Sequence, residues 1–177
     1  HKNKRCKKIK MKIGFVGLGK LGLPVALAVE SKGHDVIGYD ISQNVKNIIE
    51  AKKIPYKEIW AQDYLDKSKI KFSQLDSVVK ESDIIFVPIQ TPHDPLYEGI
   101  TRIPDKRVDF NYDFLIDGMK KLSAEIEKQK KDKVVIIIST VLPGTIRREI
   151  KQLGKVFDNT ESNSNSNLNS GYLSPTA

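Results

Sequence analysis

A chain of 177 residues suits one domain of roughly 100 to 200 residues with a sizeable core, and it leaves no room for a large two-domain enzyme. The formal net charge of +8 suggests nucleic acid until it is located: Lys2, Lys4, Arg5, Lys7, Lys8 and Lys10 carry six of those charges, so residues 11–177 hold only +2. The folded part is nearly balanced, the basic arm is read as a solvated, disordered terminus, and neither nucleic acid nor a membrane is expected as a partner.

The arm, residues 1–10, precedes the first methionine, Met11, and is set aside as upstream translation, a tag or a fragment end. It is not a signal peptide, because the apolar stretch behind it is broken by Gly14, Gly17 and Gly19. No run approaches the roughly 18 apolar residues of a membrane span. A cytoplasmic protein is expected. Cys6 is the only cysteine, which rules out an internal disulfide or a cysteine cluster for metal.

From Met11 onward apolar runs and helical stretches alternate. Residues 12–16 read as a strand, 20–31 as a helix, 35–39 as a strand and 43–52 as a helix, which is βαβ order. A helix-leaning stretch near 55–66 follows, then a short strand at 70–72 and a helix at 75–80. The runs DIIFV (83–87) and KVVIII (133–138) are near-continuous apolar segments of the kind buried on both faces of a parallel sheet. Between them lie a loop, 90–109, and an amphipathic helix at about 112–130. Pro143 and Gly144 break the chain, and 145–153 forms one more helix with its Arg and Lys toward solvent. From Asp158 the composition collapses to DNTESNSNSNLNSGYLSPTA, which buries too little apolar surface to offset its ordering entropy and is expected to be disordered. The expected fold is a doubly wound, Rossmann-type parallel α/β sheet, as a single domain over residues 11–157.

The segment GFVGLGKLGLPVAL sets Gly17, Gly19 and Gly22 in the spacing G-x-G-x-x-G, after a strand and before a helix. Asp40 stands 21 residues beyond Gly19, at the end of the next strand, close to the roughly 20-residue spacing of dinucleotide sites. Gly17 permits the tight turn, Gly19 lets a backbone N–H approach a pyrophosphate, and Gly22 lets the helix pack against the strand. The helix N-terminus offers unpaired N–H groups to the phosphates. The pyrophosphate contacts therefore fall on Gly17, Leu18, Gly19, Lys20, Leu21 and Gly22. Asp40, followed by Ile41 with no arginine near, accepts hydrogen bonds from ribose hydroxyls and repels a 2′-phosphate, so NAD is favoured over NADP. Asp40 as the N-cap of the helix beginning near residue 43 is a second reading compatible with the first, though Ser42 fills that role better.

Two further clusters lie just past strand ends, where open parallel sheets bind ligands: Gln90-Thr91-Pro92 and Ser139-Thr140. Either alone is ordinary turn chemistry. With the glycine loop and Asp40 they make four strand ends converging on one crevice. His93, beside a Pro-rich turn with Asp94, reads as structural, and no spacing makes a metal site. Tyr56, Trp60 and Tyr64, at helical spacing, read as packing residues.

At these residues the sequence resembles the N-terminal domain of the UDP-glucose/GDP-mannose dehydrogenase family. The matching segments are MKIGFVGLGKLGLPVALAVESKGHDVIGYD (11–40), IPYKE (54–58), SDIIFVPIQTPHDP (82–95) and VVIIISTVLPGT (134–145), within residues 11–154. The S-T-V-x-P-G-T run is the most specific of them. The resemblance implies two NAD-linked hydride transfers that oxidise the C6 alcohol of a nucleotide sugar to a carboxylate, through a thiohemiacetal and a thioester on a cysteine. It implies that Gly17 to Gly22 cradle the pyrophosphate, Asp40 holds the adenosine ribose and Thr91 lines the cofactor cleft. Thr140 approaches the nicotinamide end and helps position the reactive water, the one auxiliary catalytic role in this chain. The resemblance also allows a homo-oligomer in the full enzyme.

Two departures stand out. Many members carry Lys or Arg five residues after the ribose aspartate, where this chain has Val45 with Lys46 beside it. The N-P-E-F segment expected soon after S-T-V-x-P-G-T is replaced by the Asn/Ser tail, and the substrate domain and catalytic cysteine would lie beyond it. A truncated, inactive NAD-binding domain that meets a nucleotide sugar only with its missing C-terminal half is therefore expected. Two alternatives remain: a non-catalytic nucleotide-binding module, and a β-hydroxyacid dehydrogenase cofactor domain, against which the STVLPGT run argues.

Overall fold

The computed structural model describes residues 9–97, 102 and 104–153. Among these residues five strands, β1 (Lys12–Val16), β2 (Asp35–Tyr39), β3 (Lys71–Phe72), β4 (Ile84–Val87) and β5 (Val134–Ile137), form one sheet in the order β3-β2-β1-β4-β5. Every neighbouring pair is parallel. Among the described residues five α-helices connect them, two of them between β2 and β3: α1 (Gly22–Ser31), α2 (Gln43–Ala51), α3 (Ala61–Lys67), α4 (Leu75–Glu81) and α5 (Asp113–Gln129). This is the doubly wound α/β architecture the sequence predicts. The order reverses between β1 and β4, and their carboxyl ends diverge there into the crevice where such sheets take ligands.

The period-two alternation of the strands divides the interior into two cores, one on each face. Ile13, Phe15 and Val36 pack with Leu23, Leu27 and Leu65 beneath α1 and α3. Val16, Ile37 and Ile85 pack with Val78, Leu115, Met119 and Leu122 beneath α4 and α5. Phe15 stacks on Phe86 with ring centroids 5.3 Å apart, which ties β1 to β4 inside the sheet.

Some elements differ from expectation. The first helix begins at Gly22 rather than Lys20, because residues 17–21 form the turn out of β1. KVVIII is not buried on both faces: β5 is the edge strand of the described sheet, and all four of its residues are half-buried. The last helix is not α-helical; Ile146–Ile150 winds as a π-helix and Lys151–Leu153 as a 3₁₀ turn, with Ile150 buried and Arg147 and Arg148 exposed.

Trp60 and Tyr64 are not packing residues, since they are 70% and 40% exposed. The helical spacing fails because α3 starts only at Ala61 and buries Ala61 and Leu65, leaving Trp60 ahead of it as a left-handed N-cap. The tail at 158–177 and all of the basic arm except Ile9 and Lys10 lie outside the described residues. Among the described residues no helix is long and apolar enough to cross a membrane.

Candidate functional site

The turn out of β1 is built on its glycines. Gly17 has φ +110, a conformation L side chains rarely adopt. Its N–H donates to the Tyr39 carbonyl at 2.8 Å, which pins the turn to the end of β2. A Cβ on Gly22 would lie 2.3 Å from the Gly17 carbonyl oxygen and 2.8 Å from Pro88 Cγ, so α1 starts hard against both the turn and the end of β4. Gly19 is the opposite case, with nothing within 4 Å of the place its Cβ would occupy. The head of α1 has Leu21 at the N-cap, no side-chain cap bond and no acidic residue in the first turn. Of its leading N–H groups, that of Leu23 already donates to the Gly19 carbonyl at 3.0 Å and Pro24 has none, so the expected set of unpaired donors reduces to the Gly22 N–H, with the positive end of the dipole, for an external anion.

Asp40 fastens this turn from the side. Its Oδ2 accepts the Leu18 N–H at 2.7 Å and its Oδ1 accepts the Ser42 N–H at 2.8 Å. A carboxylate has about four acceptor sites, so roughly two remain for hydroxyl donors. Ser42 takes the N-cap position of α2, with no side-chain cap bond. The Leu18 side chain is buried, against the space a Cβ on Gly38 would need, and the residue joins the site through its N–H. Lys20, Leu21 and Ile41 are exposed beside this turn, Ile41 by 80%. Val45 packs against the core, and Lys46 pairs with Glu50 at 3.8 Å.

On the other side of the crevice the ends of β4 and β5 are bonded to each other. The Thr91 hydroxyl donates to the Thr140 carbonyl at 2.6 Å, and the Ser139 hydroxyl donates to the Val87 carbonyl at 3.1 Å. Gln90 and Thr140 are exposed and Thr91 is half-buried. The His93 ring meets Phe110 edge-on, with centroids 6.2 Å apart. Among the described residues no group of three or more His, Cys, Asp or Glu could hold a metal ion.

Sequence reasoning missed one cluster here. Tyr112, the buried N-cap residue of α5, donates its hydroxyl proton to Asp109 at 2.6 Å. The same oxygen accepts the Leu142 N–H at 3.2 Å and the Thr145 hydroxyl at 3.3 Å. Arg148 reaches Asp109 at 3.0 Å. The Tyr112 hydrogen bond, with help from the Phe110 N–H and Arg148, holds the Asp109 carboxyl below the usual aspartate range. The cluster borders an open depression of about 710 Å³ that Pro92, His93, Ile116 and Glu149 also line. The only signal in the sequence is an aspartate three residues ahead of a tyrosine at the head of a helix; the other partners are 30 or more residues from Tyr112.

Comparison with known proteins places this geometry in a family. The UDP-glucose/GDP-mannose dehydrogenase family, NAD binding domain, matches residues 11–171. A UDP-N-acetyl-D-mannosamine dehydrogenase of Pyrococcus horikoshii is 29% identical over 151 residues, covering 81% of this chain and 32% of the relative. An uncharacterized protein of Methanocaldococcus jannaschii is 30% identical over 151 residues, covering 84% of this chain and 15% of the relative. The solved structure of a ternary complex of GDP-mannose dehydrogenase from Pseudomonas aeruginosa superposes with a TM-score of 0.69 at 24% identity, covering 81% of this chain and 31% of that one, a likeness of fold. The chain thus spans about a third or less of the length of these proteins. A parallel sheet of this order, the glycine turn with Asp40 and a family match over most of the chain agree: the protein belongs to the UDP-glucose/GDP-mannose dehydrogenase family, as its NAD binding domain.

Proposed function

We propose that this chain is the cofactor half of a nucleotide-sugar 6-dehydrogenase, with the NAD-binding domain over residues 11–157. In this reading Gly17, Leu18, Gly19, Lys20, Leu21 and Gly22 surround the pyrophosphate. Asp40 takes the adenosine ribose hydroxyls and Ile41 borders the adenosine. Gln90, Thr91 and Thr140 line the nicotinamide side. When bound, NAD supplies the hydride acceptor. The chain's own residues orient it, and Thr140 helps hold a water near the reacting end. The observation that carries the reading is the bond from the Leu18 N–H to Asp40 beside the open space at Gly19, which joins a phosphate cradle to a ribose acceptor.

Titration of the 177-residue chain tests it. NADH binds more tightly than NADPH, and Asp40→Ala narrows the gap; equal affinity for the two cofactors in the unaltered chain contradicts the assignment. The chain alone does not oxidise UDP-glucose, UDP-N-acetyl sugars or GDP-mannose. The chemistry expected of the family needs an activated thiolate held at near-attack distance, and the only thiol is Cys6, ahead of β1 in the sequence. NADH production that survives Cys6→Ser would point instead to a single-step alcohol dehydrogenase.

A further inference from the structure

Residues 140–145 leave the end of β5 as a turn that bears the exposed Thr140 at one end and the buried Thr145 at the other. The Thr140 end is held by the Thr91 hydroxyl. The Leu142 and Thr145 positions are both held by a single atom, the Tyr112 hydroxyl oxygen, which is itself oriented by Asp109. A phenol hydroxyl offers one proton and two lone pairs, and here all three are used. Arg148, just beyond the turn, closes the ring onto Asp109.

We propose that Tyr112 is a positioning residue for the nicotinamide half of the cofactor. It fixes the turn that carries Thr140 without touching the cofactor, and Asp109 orients it. The inference rests on the cofactor reading above. In a sheet of this order the glycine turn divides the dinucleotide, with the adenosine half toward β2 and the other half toward β4 and β5. Among the described residues the Tyr112 hydroxyl bonds only to residues around α5 and the β5 turn, so its loss bears on one half of the ligand. A tyrosine that merely stabilises the fold would affect both halves alike.

The test compares NADH with ADP, which keeps the pyrophosphate and lacks the nicotinamide riboside, on the full chain and on Tyr112→Phe, Asp109→Ala and Asp109→Asn. Tyr112→Phe weakens NADH by about fivefold to thirtyfold while ADP changes by less than about twofold. Asp109→Ala shows the same selective loss, and Asp109→Asn, which keeps an acceptor for the phenol, restores most of it. Equal weakening of both ligands, or no change in either, overturns the proposal while leaving the cofactor reading intact. An unaltered chain that binds neither ligand overturns both. If Tyr112→Phe fails to fold, the Asp109 pair decides by the same contrast.

Discussion

The two sides of the crevice are held by contacts of different reach. On the β1–β2 side, the bond from Leu18 to Asp40 spans 22 residues and lies within a single βαβ unit. On the β4–β5 side, Thr91 to Thr140 spans 49 residues, Arg148 to Asp109 spans 39, and the two bonds onto the Tyr112 hydroxyl span 30 and 33. The first side depends on backbone geometry that a short segment dictates. The second depends on α5, the β5 turn and the segment after it arriving together, so it is the side that a distant substitution can loosen.

Substitutions at the glycines are the strongest way to break this comparison. Gly19→Val directs a side chain into the open crevice, and should reduce NADH binding by about a hundredfold or more with the melting temperature nearly unchanged; intact binding would remove the turn from the site. Gly22→Ala should instead cost stability, by about 1 to 3 kcal/mol, because its Cβ meets a backbone oxygen of the same turn at 2.3 Å. Denaturant titration reads that cost, and a neutral result would mean that the approach of α1 to Gly17 relaxes freely.

Asp40→Ala sharpens the comparison. It removes charged hydrogen bonds worth about 1.5 to 3 kcal/mol each, so it should weaken NADH roughly tenfold or more. ADP should weaken with it, whereas Tyr112→Phe spares ADP. If Asp40→Ala also spared ADP, the two sides would not divide the ligand as argued.

The smallest effect is one of pH. Asp109 has its folded pKa lowered, so its contribution is present above the unfolded aspartate value of about 3.9 and is lost as pH falls through the depressed folded value. The stability difference between the unaltered chain and Asp109→Asn should be constant from pH 7 down to about 5 and shrink below about 4. Chemical denaturation across that range measures it, and a difference independent of pH would mean that the carboxylate's charge has no part in the clasp.

The same contrast of reach explains what was legible beforehand. The strands and α1, α2, α4 and α5 follow from the order of apolar runs and helical stretches, and Gly17, Gly19, Gly22 and Asp40 declare themselves by spacing within one unit. Thr91 and Thr140 stand out as polar residues past strand ends and through the family resemblance, but the hydrogen bond between them is not written in either signal. Tyr112 was hidden as the first residue of a helix, because the groups it serves lie far along the chain. Trp60 was misjudged for a local reason: helical spacing was counted through a residue at φ 65, which stands outside the helix.

That tryptophan has an optical consequence. It is the chain's only indole, and it already faces water in the folded protein. Its emission should be red-shifted and open to acrylamide quenching before any denaturant is added, so unfolding changes its surroundings little. A fluorescence melt of the native chain would therefore barely register the loss of both cores, whereas far-ultraviolet circular dichroism would follow the helices directly. With no buried indole signal to compete, the enhanced emission of NADH itself becomes the cleaner measure of what enters the crevice.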